Sequence, residues 1–302
     1  MLSNEHIKRL AEQAGFDLAG LARCGYLADN EAWFRYWLAH GYQSSLDYME
    51  RNQEKRFDPR KLVENAKTAV VCAVSYKNAI SAGYPAGHRA KVASYACNTD
   101  YHKTLKKMLK SLMRRIAEEY PGVEGRMFVD TAPLAEKQLA VEAGLGWIGR
   151  QSLLVTPSLG TFVLLGELIL CDEADEYDKP IEGAHCGACH RCVDACPNHA
   201  ITEHRMIDTN RCISCHTIER EPRADADLHG WIFGCDLCQS CCPYNRHTPQ
   251  HRNPAFDPIL NPLELTPEDW LAMTEEEFTA RLGTTPMTRS GLDRIKKNVN
   301  RK

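Results

Sequence analysis

The run C-G-A-C-H-R-C-V-D-A-C-P, from Cys186 to Pro197, constrains this chain more than any other stretch. Cys186, Cys189 and Cys192 are each two residues apart, and Cys196 follows after three, backed by Pro197. A tight loop with two-residue gaps wraps three thiolates around one four-iron–four-sulfur cube, and the fourth thiolate points away toward a second cube. A second set repeats the ending: Cys212, then Cys235, Cys238 and Cys242-Pro243. Since each fourth cysteine serves the other cluster in such pairs, cluster one takes Cys186, Cys189, Cys192 and Cys242. Cluster two takes Cys196, Cys212, Cys235 and Cys238. Cys215 and Cys241 are spares, and the Cys-Pro ending favours Cys242 over Cys241. Structural zinc is the competing reading, but zinc ribbons use two separate cysteine pairs and leave the extra cysteines of these runs unexplained.

The compartment supports metal over disulfides. The N-terminus M-L-S-N-E-H-I-K-R-L lacks an apolar signal core and a twin arginine, and no apolar run reaches the roughly 20 residues that span a bilayer. A cytoplasmic protein keeps its thiols reduced, so cysteine runs there mean metal. The net charge of −3 argues against a nucleic-acid binder held by bulk charge, though not against a local basic face. With 302 residues, the chain is long enough for two domains.

Along the chain, residues 3–23 read as an amphipathic helix followed by a strand. Residues 31–50 carry aromatics at helical spacing, which reads as core. Residues 69–76 and 91–97 read as strands, and Tyr101–Tyr120 as a helix with an apolar stripe. The rest of that helix is basic from Lys103 to Arg115, either a solvated face or a phosphate-contacting one. Met127–Val129 is a short strand ending at Asp130, and a helix follows from Leu134 to Ala143. Gly144, Gly146 and Gly149 surround Trp147 after a helix, so they are no dinucleotide fingerprint; they let backbone approach a flat ligand or a neighbouring strand. Residues 152–156 and 162–170 read as a hairpin of buried strands. The acidic stretch 172–182 reads as a linker.

Two adjacent clusters make a one-electron wire, and the roughly 180 residues before them are enough for a full domain that receives the electrons. Here the motifs carry a resemblance. They are V-D-T-A-P-L-A-E-K at 129–137, A-G-L-G-W-I-G-R at 143–150, the cysteine runs, C-I-S at Cys212 and G-C-D-L-C-Q-S-C-C-P-Y-N at 234–245. With D-Y-H at Asp100–His102 and E-K-R at Glu54–Arg56, they resemble the epoxyqueuosine reductases, cobalamin-dependent enzymes of queuosine synthesis on tRNA. The resemblance covers about residues 1–247. It implies an α+β fold: a nitroreductase-like cobalamin-binding domain at 1–179, related to reductive dehalogenases, then a two-cluster bacterial-ferredoxin-like domain at 180–247. Residues 248–302 would be a C-terminal tail, ending near where longer members begin a helical-repeat domain. Cys215 and Cys241 stand where the family is expected to lack cysteine.

The activity implied is reduction of the epoxide of epoxyqueuosine, at the wobble position of tRNA, to queuosine. Removing the oxygen needs two electrons and a proton on the departing atom, and an external low-potential donor would feed the clusters. Asp130 is the candidate proton donor. It ends an apolar run, where burial would disfavour its charged form, and the competing reading is an N-cap for the following helix. Cobalamin contacts implied by the resemblance are Arg56, Ala93, Asp130, Leu154, Leu165 and Ser214. The histidine signature D-x-H-x-x-G is incomplete at Asp227-Leu228-His229, so no histidine is expected on cobalt. Arg220 and Arg223, with the basic helix, are the tRNA-binding candidates, and binding should weaken as salt rises. The chain is expected to act as a monomer. The alternatives are a corrinoid reductive dehalogenase, usually exported, and a non-enzymatic electron carrier.

Overall fold

The computed structural model describes residues 1–182, 185–219 and 226–301. The first half runs α1 (Asn4–Gln13), β1 (Leu18–Arg23), α2 (Ala28–Ala39), α3 (Gln53–Arg56), β2 (Thr68–Ser75), β3 (Lys91–Val92) and α4 (Tyr101–Glu119). Then come β4 (Gly125–Phe128), α5 (Glu136–Glu142), β5 (Trp147–Ile148), β6 (Leu154–Val155) and β7 (Val163–Leu170). The remainder holds α6 (Arg191–Asp194), α7 (Ile213–Ile218), β8 (Trp231–Phe233), α8 (Leu237–Ser240), α9 (Pro267–Ala272), α10 (Glu275–Leu282) and α11 (Gly291–Val299).

The apolar run T-A-V-V-C-A-V-S becomes β2, a strand buried at every position because both faces of its sheet are covered. The sheet is antiparallel in the order β1-β2-β7-β4. Val70, Cys72 and Val74 turn to one face, where α1 and α4 lay Leu10, Leu105, Leu109 and Leu112 on them. Ala69, Val71 and Ala73 turn to the other, against Leu139, Ala140 and Ala143 of the α5 segment. The small residues on that side let α5 come close: a Cβ on Gly20 would stand 2.0 Å from the Ala143 carbonyl oxygen. Alternation also sends Glu167 of β7 to the α5 face, opposite Val71 and Phe128. The acidic stretch 172–182 is tied back onto this layer, with Asp178 accepting from the Leu21 amide at 2.8 Å and pairing with Lys8.

Three sequence expectations are corrected. The strand expected at 91–97 is two residues long, because the Ser94 amide donates to Asp236 at 2.6 Å and the chain coils into a tight 3-10 turn. Residues 152–156 and 162–170 do not pair with each other. β6 pairs with β5, where Gly146 lets the Val155 carbonyl approach, and β7 pairs with β2 and β4. Finally, the aromatics of 31–50 are not core: within α2 only Glu31 is buried, and Trp33 is 56% exposed.

β3 pairs in parallel with β8, across the boundary expected at 179/180. Residues 254–299 fold onto that pair. Trp270, Phe278, Leu292 and Ile295 form one core with Val92, Ile232 and Phe233. Capping boxes at Thr266 and Thr274 start α9 and α10, and α11 sends Asn298 to the Ile232 and Thr217 carbonyls at 2.9 and 3.3 Å.

Candidate active site and thiol ladder

A cavity of about 1040 Å³ opens between α2, α3, the loop after β4, the start of α5 and residues 203–207. Trp33, Phe34 and Trp37 line one wall, and Trp37 donates to the Ile207 carbonyl at 2.7 Å, which fixes α2 against the thiol-bearing lobe. The loop from Asp130 to Ala135 lines the other wall with Glu136 and Lys137.

Asp130 sits at the junction of β4 and this loop with φ 49°. A left-handed Asp is tolerated but strained, so surrounding bonds must hold it. Three do. The Asp130 amide donates to Glu136 Oε1 at 2.6 Å. The Tyr101 hydroxyl donates to Asp130 Oδ2. His102 Nε2 lies 3.7 Å from the same oxygen, while its Nδ1 meets Asp100 at 2.8 Å. Burial, then the Asp130 charge, pushes the Tyr101 pKa up, which keeps this hydroxyl a donor. The D-Y-H motif is thereby accounted for: Asp100 caps α4 and places Tyr101 and His102 on Asp130.

The burial expected of Asp130 is not found; its side chain is 54% exposed. Nor does it cap the next helix, which begins at Glu136 with Ala135 before it. The buried acids stand behind it. Glu136 is pushed up to about 7, first by burial and then by the Asp130 charge. Glu167, with no exposed surface, is raised further by burial and then by Glu136. Sequence reasoning assigned neither a role. The one signal available was a lone acid inside the apolar run 162–170.

Of the six cobalamin contacts implied by resemblance, Arg56 and Asp130 line this cavity. Ala93 packs instead with Ile213 and Trp231, beside the thiol lobe. Leu154 and Leu165 belong to the layer around α5, and Ser214 lies on α7. Arg56 Nε is buried without a hydrogen-bond partner, and its guanidinium stands 5.4 Å over the Phe34 ring. An aromatic wall with an unsatisfied cationic edge fits a large flat ligand with polar substituents, as cobalamin is. His229 of the incomplete histidine signature pairs with Asn198 at 2.9 Å. Arg220 and Arg223 lie outside the described residues. On α4, Lys103, Lys106, Lys107, Lys110 and Arg114 are exposed, opposite the buried apolar stripe.

The thiols fall into two sets. Burial raises each of Cys192, Cys212, Cys235, Cys238 and Cys242, and neighbouring thiols then add to it. Cys192 is acted on by Cys186 and Cys242, and Cys242 by Cys186 and Cys189. Cys212 is acted on by Cys196, Cys235 by Cys212 and Cys196, and Cys238 by Cys235 and Cys212. Each of these influences runs within one of the two groups of four expected from the spacing, while no three described Cys, His or acidic side chains are drawn together closely enough to enclose a metal ion. Cys241 acts on both, influencing Cys238 and feeling Cys192 and Cys242. All-thiol donor sets of this kind suit iron–sulfur cubes.

Residues 56–131 match the family described as epoxyqueuosine reductase QueG, DUF1730, and residues 185–245 match a 4Fe-4S double cluster binding domain. An epoxyqueuosine reductase of Cyclobacterium marinum is 38% identical over 304 residues, covering 97% of this chain and 94% of that protein. The chain belongs to the epoxyqueuosine reductase family. It is therefore an oxidoreductase, and its second lobe is a domain for two 4Fe-4S clusters. Among solved structures, an epoxyqueuosine reductase with an epoxyqueuosine-modified tRNA-Tyr stem loop superposes with a TM-score of 0.85 at 26% identity. The match covers 98% of this chain and 79% of that one. The Bacillus subtilis enzyme, also at 0.85, 26%, 98% and 79%, was solved with an aspartate catalytic loop swung out of the active site. A catabolic reductive dehalogenase shares the fold at a TM-score of 0.51 and 17% identity, over 80% of this chain and 32% of that one. No helix among the described residues is long and apolar enough to cross a membrane.

Proposed function

We propose that this chain reduces the epoxide of epoxyqueuosine in the wobble position of tRNA, with Asp130 delivering the proton to the departing oxygen. The observation that carries the residue assignment is the convergence of Tyr101, His102 and Glu136 on Asp130 at the rim of the large cavity. The named stem-loop complex of a relative supports the substrate, and the catalytic aspartate loop seen swung out of the active site in the Bacillus subtilis enzyme supports the role of the loop.

When bound, cobalamin would supply the reducing nucleophile in the cavity and the two clusters its electrons. Cys186, Cys189, Cys192 and Cys242 would hold one cluster, and Cys196, Cys212, Cys235 and Cys238 the other. Arg56 would meet a polar edge of the corrin with its unpaired Nε. Ala93, Leu154, Leu165 and Ser214 are kept as contacts by family resemblance alone. Tyr101 holds Asp130 Oδ2 from one side and leaves the second oxygen for the substrate. His102, anchored by Asp100, keeps its Nε2 toward the same carboxyl and is placed to help restore its proton after turnover. The basic face of α4 is the tRNA surface in this reading, since phosphate contacts position the stem and leave the unstacked base to the cavity.

The functional units are 1–179, 180–247 and 248–302, acting as a cytoplasmic monomer with an external electron donor. The test is anaerobic reconstitution with iron, sulfide and cobalamin, reduction, and nucleoside analysis of epoxyqueuosine-containing tRNA. Queuosine formation supports the reading. Its absence, with both clusters and corrinoid present, removes it.

A further inference from the structure

The function just proposed leaves Glu167, the buried acid behind Glu136, unused. Glu167 lies at the centre of the sheet, between Val71 and Phe128, with no exposed surface. Neither of its oxygens meets a hydrogen-bond donor in the fold. The group it faces is the Glu136 carboxyl. Two ionised carboxylates cannot hydrogen-bond each other, and a lone buried carboxylate is far costlier than a polar group that keeps a partner. One proton on Glu167 changes this: its O–H then donates to Glu136. That arrangement orients Glu136, whose Oε1 receives the Asp130 amide.

We propose that Glu167 serves as a buried proton holder that orients Glu136, and that Glu136 is the latch keeping the Asp130 loop turned into the cavity. The bond it makes spans the strained residue itself, at φ 49°. The far end of the loop has a separate tether, with the Ala135 amide donating to the Arg56 carbonyl at 2.9 Å. Release of Glu136 therefore loosens the backbone at the Asp130 end alone, with Tyr101 still on its carboxylate. Glu136 and Glu167 are positioning residues in this reading, since Glu136 acts by holding the Asp130 amide and Glu167 acts through Glu136.

Around Glu136 stand Asp130, Glu167, Lys137, Arg56 and Tyr101. Lys137 Nζ donates to the Ser152 carbonyl at 2.5 Å, so it lends charge without bonding the latch. Around Glu167 stand Glu136 and Asp130, and the Cys72 thiol of β2 lies across the sheet on its other face. No donor among these replaces the proton on Glu167. Burial raises both folded-state pKa values, Glu167 the further, so the shared proton rests on Glu167, and the arrangement is lost as pH rises through its folded pKa.

The test is hydrogen–deuterium exchange of the peptide spanning residues 128–135 in the reconstituted enzyme, followed over pH, with turnover measured in parallel. Four variants are compared: Glu136→Ala, Glu167→Gln, Glu167→Leu and, as a control, Asp130→Asn. Losing a hydrogen bond to a charged acceptor should speed exchange of this peptide about tenfold or more in Glu136→Ala and Glu167→Leu. Glu167→Gln, whose amide still donates, should restore protection relative to Glu167→Leu and recover turnover in step. Asp130→Asn keeps its amide and should stay protected while losing turnover. In the wild type, protection should fall at high pH. Equal protection in Glu167→Leu and wild type overturns the proposal, as does equal loss in the Gln and Leu variants. Exchange is read without substrate, so a wild type that leaves epoxyqueuosine untouched would defeat the proposed function and not the latch. Leu in this apolar layer should hold the fold at least as well, so thermal unfolding separates a loosened loop from a loosened protein.

Discussion

Asn298→Ala measures how firmly the C-terminal helices brace the thiol lobe. Asn298 is 2% exposed on α11, and its amide reaches the Ile232 carbonyl at 2.9 Å and the Thr217 carbonyl at 3.3 Å. Thr217 keeps a second donor, the Ser290 hydroxyl at 3.4 Å, so Ile232 loses most. A buried carbonyl left unpaired costs about 1–3 kcal/mol, and the weaker bond adds to this, for a total of about 2–3 kcal/mol. At roughly 1.6 °C per kcal/mol for a chain of this length, the unfolding midpoint should fall by about 3–5 °C. β8 leads directly into Cys235, and α7 begins after Cys212, so the damage falls on the second thiol set. The assay is thermal unfolding of the reconstituted protein, with iron retention after a chelator challenge and spectroscopy that tells the two clusters apart. The second cluster should be lost first. A midpoint within about 1 °C of wild type, or prior loss of the first cluster, would refute the reasoning.

Asp130→Asn should keep clusters and corrinoid and lower turnover by about 10²- to 10⁴-fold, measured by nucleoside analysis. Cys242→Ser should cost one cluster in iron and sulfide determinations, whereas Cys215→Ser should retain both. Gly20→Ala drives a methyl into the Ala143 carbonyl, 2.0 Å away, and should destabilise by about 1–3 kcal/mol in denaturant titration.

Much of the fold was legible because its signals are local. The cysteine runs pointed to a double-cluster domain, which residues 185–245 match, and the stripe Leu105, Met108, Leu109, Leu112 and Ile116 gave α4 with its buried face. What failed depended on distant partners. Ser94 leaves its strand because Asp236, 142 residues on, takes its amide. The α2 aromatics look like core in one dimension, yet their neighbours across the cavity come from residues 203–207. Asp130 was singled out by its motif, but the burial argued for it is absent, and burial acts instead on its neighbours Glu136 and Glu167. Alternation in β7 sends Glu167 inward, and only the packing of α5 on that face reveals what it meets.

The parallel pairing of β3 with β8 has a consequence for biogenesis. Strand Lys91–Val92 leaves the ribosome long before its partner Trp231–Phe233, and the helices that cover both come later still. A nascent chain can complete the sandwich around β2 while its sulfur-bearing half is still unsupported. Iron loaded during synthesis would enter a half-built cradle, so insertion of the second cube should belong to the finished, released polypeptide.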